Sequence, residues 1–334
     1  MDGQTARDAA VSGLRAVLEK HGAGHLGALT SSSATIEEMY LLQKLVRGLG
    51  GSNIDHRLGQ LDFADQESMP LYPSLGQSIE SLEDVDAALL IGSNIRHDQP
   101  LLGHRVRKAA MNGASIMTVN PVDYGFMFPV TEKVIAVRAA MEQALAGIAK
   151  ALVEAGATAP QGLDALMAAV EISDVQRSIA AKLKSAAKET VMLGSYALSS
   201  AAGSKLRSLG QAIAVMSGAK LAYLTDDDNS AGAYLAGALP HRAAAGKGAT
   251  FGLNVQGMLS EKLAGYVLLG TEPENDVANA AAALSSHNSA EFVVSMTSYK
   301  SAAMLEYASV LLPCAPFTET SGTFVNVEGK WQSF

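Results

Sequence analysis

DAALLIGSNIRHDQPLLGHRVRKAAMNGASIMTVN, Asp86 to Asn120, decides the fold. DAALLIG reads as a short buried strand, Pro100 to Met111 as a helix with proline in its first turn, and SIMTVN as a second strand. Strand, crossover helix, strand is a βαβ unit. The same order returns in GYVLLG (Gly265 to Gly270), a helix through Ala278 to Leu284, and EFVVSM (Glu291 to Met296). Each first strand ends in a glycine followed by a small polar residue, Gly92–Ser93–Asn94 in one and Gly270–Thr271–Glu272 in the other. The pattern predicts an α/β chain of two Rossmann-like αβα lobes with largely parallel sheets.

Around these units, Asp8 to His21 carries Val11, Leu14 and Leu18 at helical spacing and stops at Gly22. Thr35 and Glu38 form a capping box ahead of Met39, Leu42, Val46 and Leu49, and Gly50–Gly51 ends that helix. Thr131 to Lys188 is alanine-rich and predicts helices broken at Pro160 and restarted by a Ser173–Gln176 capping box. VMLG (Val191 to Gly194) and KLAYLT (Lys220 to Thr225) read as further strands that add to the second sheet, the one begun by GYVLLG.

Composition narrows function. The 334 residues suffice for two domains, and no apolar run approaches the ~20 residues of a membrane span. MDGQTARDAA lacks a signal-peptide pattern. A net charge of −8 without a basic stripe argues against nucleic acid as a partner. The single cysteine, Cys314, excludes an internal disulfide and an iron–sulfur cluster, which takes about four thiolates. In the run VLLPCAP it reads as a buried structural thiol.

Generic motifs yield no active site. Gly22, Gly24 and Gly27 match G-x-G-x-x-G, but after a helix and before the strand-like ALTSSS, the reverse of the order that brings a pyrophosphate to a helix N-terminus. A turn is the better reading. His21 and His25 have metal-ligand spacing without a helix-compatible linker or a third ligand, and Asp226–Asp227–Asp228 reads as a solvated loop. TSGTFVNVEGKWQSF (Thr320 to Phe334) alternates apolar and polar residues to its last position, which predicts a piece of a longer protein.

Three long segments resemble the molybdopterin oxidoreductase family: Ser31 to Leu58, Ala87 to Pro121 and Tyr307 to Phe334. Within it, NIDHRL (Asn53 to Leu58) and EGKWQSF look most like the branch formed by the large iron–sulfur subunits of NADH-quinone oxidoreductase, complex I. The resemblance implies lobes like domains 2 and 3 of formate dehydrogenase, one of residues 1–54 plus 190–334 and an inserted one of 55–189. It also implies that Gly92, Ser93, Asn94, Asn120, Asn229, Gly322, Thr323 and Asn326 occupy positions that hold a molybdopterin guanine dinucleotide in cofactor-using members.

Departures from that pattern are specific. Cofactor-using members carry a cysteine or selenocysteine metal ligand shortly after the stretch matching Asn53 to Arg57, where this chain has His56-Arg57-Leu58-Gly59-Gln60. Asn120–Pro121 replaces their Asp–Pro, and EGKWQ replaces E-R-R-x-Q, removing two guanidinium forks. The resemblance therefore implies a vestigial site without catalytic or metal-binding residues, no cofactor in this segment, and [4Fe-4S] and [2Fe-2S] clusters upstream in the parent subunit. It implies an enzyme only as part of a complex: a scaffold docking other hydrophilic-arm subunits, cytoplasmic and peripheral to the inner membrane, without inserting into it. A molybdopterin guanine dinucleotide-dependent oxidoreductase of formate or nitrate type is the alternative, and a plain NAD-binding dehydrogenase ranks last.

Overall fold

The computed structural model describes residues 2–225 and 227–334; Asp226, the first of the acidic run, lies outside the described residues. In chain order come α1 (Gly3–His21), β1 (Leu26–Thr30), α2 (Ile36–Gly48), β2 (Asn53–Asp55), β3 (Ala87–Ile91), α3 (Ile95–Asp98), α4 (Pro100–Met111), β4 (Ser115–Asn120) and β5 (Glu132–Ile135). Next are α5 (Met141–Glu154), α6 (Asp164–Met167), α7 (Asp174–Ser185), β6 (Glu189–Leu193), α8 (Ser195–Leu198), α9 (Gly203–Ser217) and β7 (Lys220–Tyr223). The chain then runs through α10 (Ser230–Ala236), α11 (Val255–Glu261), β8 (Gly265–Leu269), α12 (Pro273–Asp276), α13 (Ala280–Ser289), β9 (Phe292–Thr297), α14 (Ala302–Tyr307) and β10 (Val310–Pro313). A hairpin of β11 (Thr323–Val325) and β12 (Trp331–Ser333) completes it.

Local chemistry sets the helix ends. Both capping boxes form: Thr35 with Glu38 opens α2 and Ser173 with Gln176 opens α7, each serine or threonine oxygen accepting an amide that the helix itself leaves unpaired. Gly22 ends α1 at φ +79°, its N–H donating to Leu18 O. The rest of the G-x-G-x-x-G match is a single 3-10 turn over Ala23–His25 and Gly27 within β1, so the turn reading stands.

Two compact units result. Unit 1 comprises Met1–Gly59, Met69–Tyr72 and Asp227–Phe334, and unit 2 comprises Gln60–Ser68 and Pro73–Asp226. Unit 1 is built on a parallel five-stranded sheet of order β10-β9-β8-β1-β2, unit 2 on one of order β5-β4-β3-β6-β7. Every residue of β1, β3 and β8 is buried, as parallel strands covered on both faces require. In unit 1 the core joins Met39, Leu42 and Val46 of α2 to Ile54, Val267 and Val325. In unit 2, α5 packs against α7 and α9, and Leu145, Ile148, Leu183 and Leu209 of these helices are fully buried.

The expected boundary at residues 189 and 190 is corrected. β6 pairs in parallel with β3 from Ala87↔Glu189 to Ile91↔Leu193, and β7 pairs with β6, so the segment through Tyr223 belongs to the inserted unit. The near boundary also shifts, to Gly59, and Met69–Tyr72 returns to unit 1, where Arg242 donates to Met69 O at 2.6 Å and Pro70 O at 2.8 Å. The expectation for Cys314 is corrected too: it is partly exposed, because β10 before it is an edge strand with no fully buried residue. Among the described residues, no helix is long and apolar enough to cross a membrane.

Candidate functional site

Open parallel sheets collect ligands at the carboxyl ends of their strands, where neighbouring strands lead the chain in opposite directions. In unit 2 that point lies between β3 and β6. Gly92 leaves β3 at φ +57°, a conformation that L side chains resist, and a Cβ there would stand 2.5 Å from Ala197 N. Its N–H donates to Val119 O at 2.8 Å, and Gly194 N donates to Ile91 O at 2.9 Å, so the two strand ends lock together. Ser93 follows, fully buried.

Asn120, at the end of β4, clasps Ser93 from both sides: Ser93 N donates to Asn120 Oδ1 at 2.8 Å and Asn120 Nδ2 donates to Ser93 O at 3.1 Å. Asn94, half-buried, precedes α3. Ser195 Oγ, at the start of α8, donates to Asp98 Oδ2 at 2.8 Å. The Arg138 guanidinium lies 5.4 Å from the Tyr196 ring centroid, and the Tyr124 and Tyr196 rings are 6.1 Å apart. Burial, then the hydrogen bond to Tyr196, pushes the Tyr124 hydroxyl up to about 12.

Unit 1 repeats the arrangement between β8 and β1. Gly270 stands at φ +58°, its N–H donates to Met296 O at 2.9 Å, and Ser31 N donates to Leu269 O at 3.1 Å. Thr271 thus matches Ser93. Both hydroxyls are buried, and among the described residues neither Ser93 Oγ nor Thr271 Oγ1 has a hydrogen-bond partner. Beside this point lies a cavity of about 140 Å³ lined in part by Ser31, Thr35, Gly270, Cys314 and Phe324. Burial, then the Glu38 charge, raises the Cys314 thiol above its ordinary value, which keeps it protonated and poorly nucleophilic.

The remaining expected positions fall in unit 1 and bind their own backbone. Asn229, fully buried before α10, donates to Ala34 O at 2.8 Å and accepts from Val325 N at 2.8 Å. A Cβ on Gly322 would stand 2.3 Å from the Thr35 side chain. Thr323 N donates to Glu37 Oε2 at 3.0 Å; burial alone would raise that carboxyl, but its bonds to Thr323 outweigh burial and lower it. Asn326 Oδ1 accepts from Glu328 N and Lys330 N, both at 3.0 Å, closing the β11–β12 turn. The structure brings Gly92, Ser93, Asn94 and Asn120 together in unit 2, and Asn229, Gly322, Thr323 and Asn326 into unit 1.

Two features are not apparent from the sequence. Asp55 and Arg57, at the end of β2, are both buried and form a two-pronged ion pair at 2.8 and 2.9 Å. Asp55 also accepts from His56 N, Arg57 N and Val255 N. Burial opposes its charge and Arg57 overrides that, so the carboxyl stays below its ordinary value. Ser195, bonded to Asp98, itself stands in the repeated strand–glycine–hydroxyl form LLIGS, VMLGS and VLLGT, but nothing in the sequence marks Asp98 as its partner. His21 Nε2 lies 3.0 Å from Glu291 Oε1, and among the described residues no group of three or more His, Cys, Asp or Glu is placed to hold a metal ion.

The family profile described as Molybdopterin oxidoreductase matches residues 4–334. The NADH-quinone oxidoreductase subunit designated G, from Mycobacterium tuberculosis, is 26% identical over 342 residues, 93% of this chain and 38% of that protein. The chain therefore spans 38% of the length of that relative. The F420-dependent formate dehydrogenase subunit alpha of Methanocaldococcus jannaschii is 34% identical over 100 residues, 29% of this chain and 15% of that one. Among solved structures, the formyltransferase/hydrolase complex of Methylorubrum extorquens superposes with a TM-score of 0.66 at 14% identity, covering 98% of this chain and 89% of that one. Acetylene hydratase from Pelobacter acetylenicus superposes at 0.65 with 13% identity, covering 99% and 55%. At these identities the structures establish a shared fold alone.

Proposed function

The chain belongs to the molybdopterin oxidoreductase family, and from that premise we propose that it is a non-catalytic, scaffold portion of an NADH-quinone oxidoreductase subunit. The observation that carries the reading is the end of β2. Where cofactor-using members place a thiolate or selenolate ligand, this chain continues from the buried Asp55–Arg57 pair into Leu58-Gly59-Gln60, and its one cysteine is Cys314 after β10. A molybdenum centre there has no soft protein ligand.

Two further observations support this reading over a bound pterin dinucleotide. The amides of Asn120 and Asn229 and the side-chain oxygen of Asn326 are spent on backbone groups of this chain, and the unit 1 cavity of about 140 Å³ is small beside the ~300–1,000 Å³ of ordinary ligand sites. The parent subunit would relay electrons from NADH-reduced flavin toward quinone through [4Fe-4S] and [2Fe-2S] clusters held elsewhere in it. This portion would dock neighbouring hydrophilic-arm subunits on the cytoplasmic side of the membrane, without itself entering it.

Molybdenum and extracted pterin measured in the purified chain test the reading: both are expected well below stoichiometry, and a stoichiometric amount of either ends it. Co-purification with flavin- and quinone-linked subunits tests the scaffold role separately. The similarity to formate dehydrogenase favours a second reading, a molybdopterin guanine dinucleotide-dependent oxidoreductase. Calorimetry with guanosine nucleotides decides between them; heat of binding supports the enzyme and its absence the scaffold.

A further inference from the structure

Unit 2 carries a cavity of about 150 Å³ with a basic rim and an apolar floor. Arg96, His104 and Arg107 line it from the α3–α4 segment, and Met127 and Phe128 from the loop after β4. Gly103 lets α4 approach α3, since a Cβ there would stand 2.9 Å from Ile95 O. Phe126 and Phe128 stack with ring centroids 5.2 Å apart, which stiffens the loop.

Among the described residues, the guanidinium groups are positioned without a carboxylate partner. Arg96 Nη1 donates to Gly125 O at 2.9 Å and Arg107 Nε donates to Met127 O at 3.1 Å, so each guanidinium holds the loop with one donor and has others to spare. Among the described residues, no carboxylate lines the cavity. By contrast, Arg105 and Lys108 on the same helix both pair with Glu83.

Size and charge select the occupant. A volume of about 150 Å³ suits one side chain, below the ~300 Å³ at which small-molecule sites begin. A guanidinium fork matches a carboxylate in shape, and the apolar floor favours hydrocarbon beside it. The unpaired rim is confined to a few residues beside a side-chain-sized cavity, and the neighbouring Arg105 and Lys108 are already paired with Glu83, so a short segment that enters locally fits it better than an extended anionic bilayer or nucleic acid. We propose that this cavity receives a glutamate or aspartate side chain, flanked by an apolar residue, from an acidic segment of a partner protein. The site stands whether or not the scaffold reading does.

The test is fluorescence anisotropy of the labelled peptide GLEELG against its isostere GLQQLG with the full 334-residue chain at pH 7. The acidic peptide is expected to bind on the order of tenfold more tightly, with the preference falling as salt rises. Arg96→Gln with Arg107→Gln, and separately His104→Glu at an exposed position that holds no loop carbonyl, should each abolish the preference. Lys44→Gln, on the other unit, should leave it intact. Equal binding of the two peptides overturns the proposal, as does an undiminished preference in His104→Glu. So does binding confined to phosphatidylserine vesicles, which would assign the rim to a lipid surface.

Discussion

Asn120 and Ser93 hold each other through two buried hydrogen bonds, 2.8 Å from Ser93 N to Asn120 Oδ1 and 3.1 Å from Asn120 Nδ2 to Ser93 O. An amide serves both and an ionised carboxylate cannot, because the side chain must accept with one atom and donate with the other. Asn120→Asp, which restores the carboxylate of cofactor-using relatives, would set a second oxygen against the Ser93 carbonyl in a buried site. We expect a loss of about 2–3 kcal/mol in urea unfolding, and a similar loss for Asn120→Ala. A change below about 0.5 kcal/mol in both would mean the clasp contributes nothing.

Acid should weaken unit 1 before it touches the carboxylates. Burial holds His56 and His287 neutral down to about 4, against 6.5 in a free chain. His56 Nδ1 contacts Ala238 O at 2.8 Å, whereas the His287 ring nitrogens have no hydrogen-bond partner among the described residues and the ring packs edge-on to Tyr266. Between these values the unfolded chain binds protons that the folded one refuses, so stability is full above about 6.5 and falls as pH drops toward about 4. The expected loss is of the order of 1–3 kcal/mol per histidine by the lower end. Denaturant midpoints across that range measure it, and His287→Phe should flatten about half the slope; an unchanged slope would show that His287 does not titrate there.

The Asp55–Arg57 pair should be intolerant of losing one member. Asp55→Asn keeps most of the shape but leaves the Arg57 cation buried without its counter-charge. A cost of about 3–5 kcal/mol is expected in equilibrium unfolding. Adding Arg57→Gln should recover part of it, since the stranded charge is then gone. Strictly additive losses would contradict a coupled pair.

Legibility follows the range of the interactions. The capping boxes at Thr35 and Ser173, and the proline-started α4, are written within a few residues and can be read locally. So can Gly92 and Gly270, where a strand must turn sharply out of its sheet. Which sheet β6 joins is not readable, because a run such as VML is buried equally well beside β3 or β8 and only tertiary pairing decides. β5 also escapes, its residues alternating between half-buried and exposed at a sheet edge. At the site, the strand-end residues are legible but their partners are not: Ser195 meets Asp98 across 97 residues and Asn229 meets Val325 across 96, and neither contact leaves a local pattern.

Gly92 and Gly113 separate two reasons for needing glycine. Both have positive φ, +57° and +99°, so alanine at either incurs backbone strain of roughly 1 kcal/mol. At Gly113 a Cβ meets nothing within 4 Å, and the strain should be the whole effect. At Gly92 it would meet the backbone nitrogen of Ala197 at 2.5 Å, an atom fixed by its bond to Gly194 O and unable to swing aside. Gly92→Ala must therefore push α8 away from the end of β3, breaking the junction that buries Ser93. We expect Gly92→Ala to cost about 3 kcal/mol or more, against about 1 kcal/mol for Gly113→Ala, in paired thermal melts. Equal losses at the two positions would show that backbone conformation alone, and not the close approach of β3 to α8, demands glycine at the strand end.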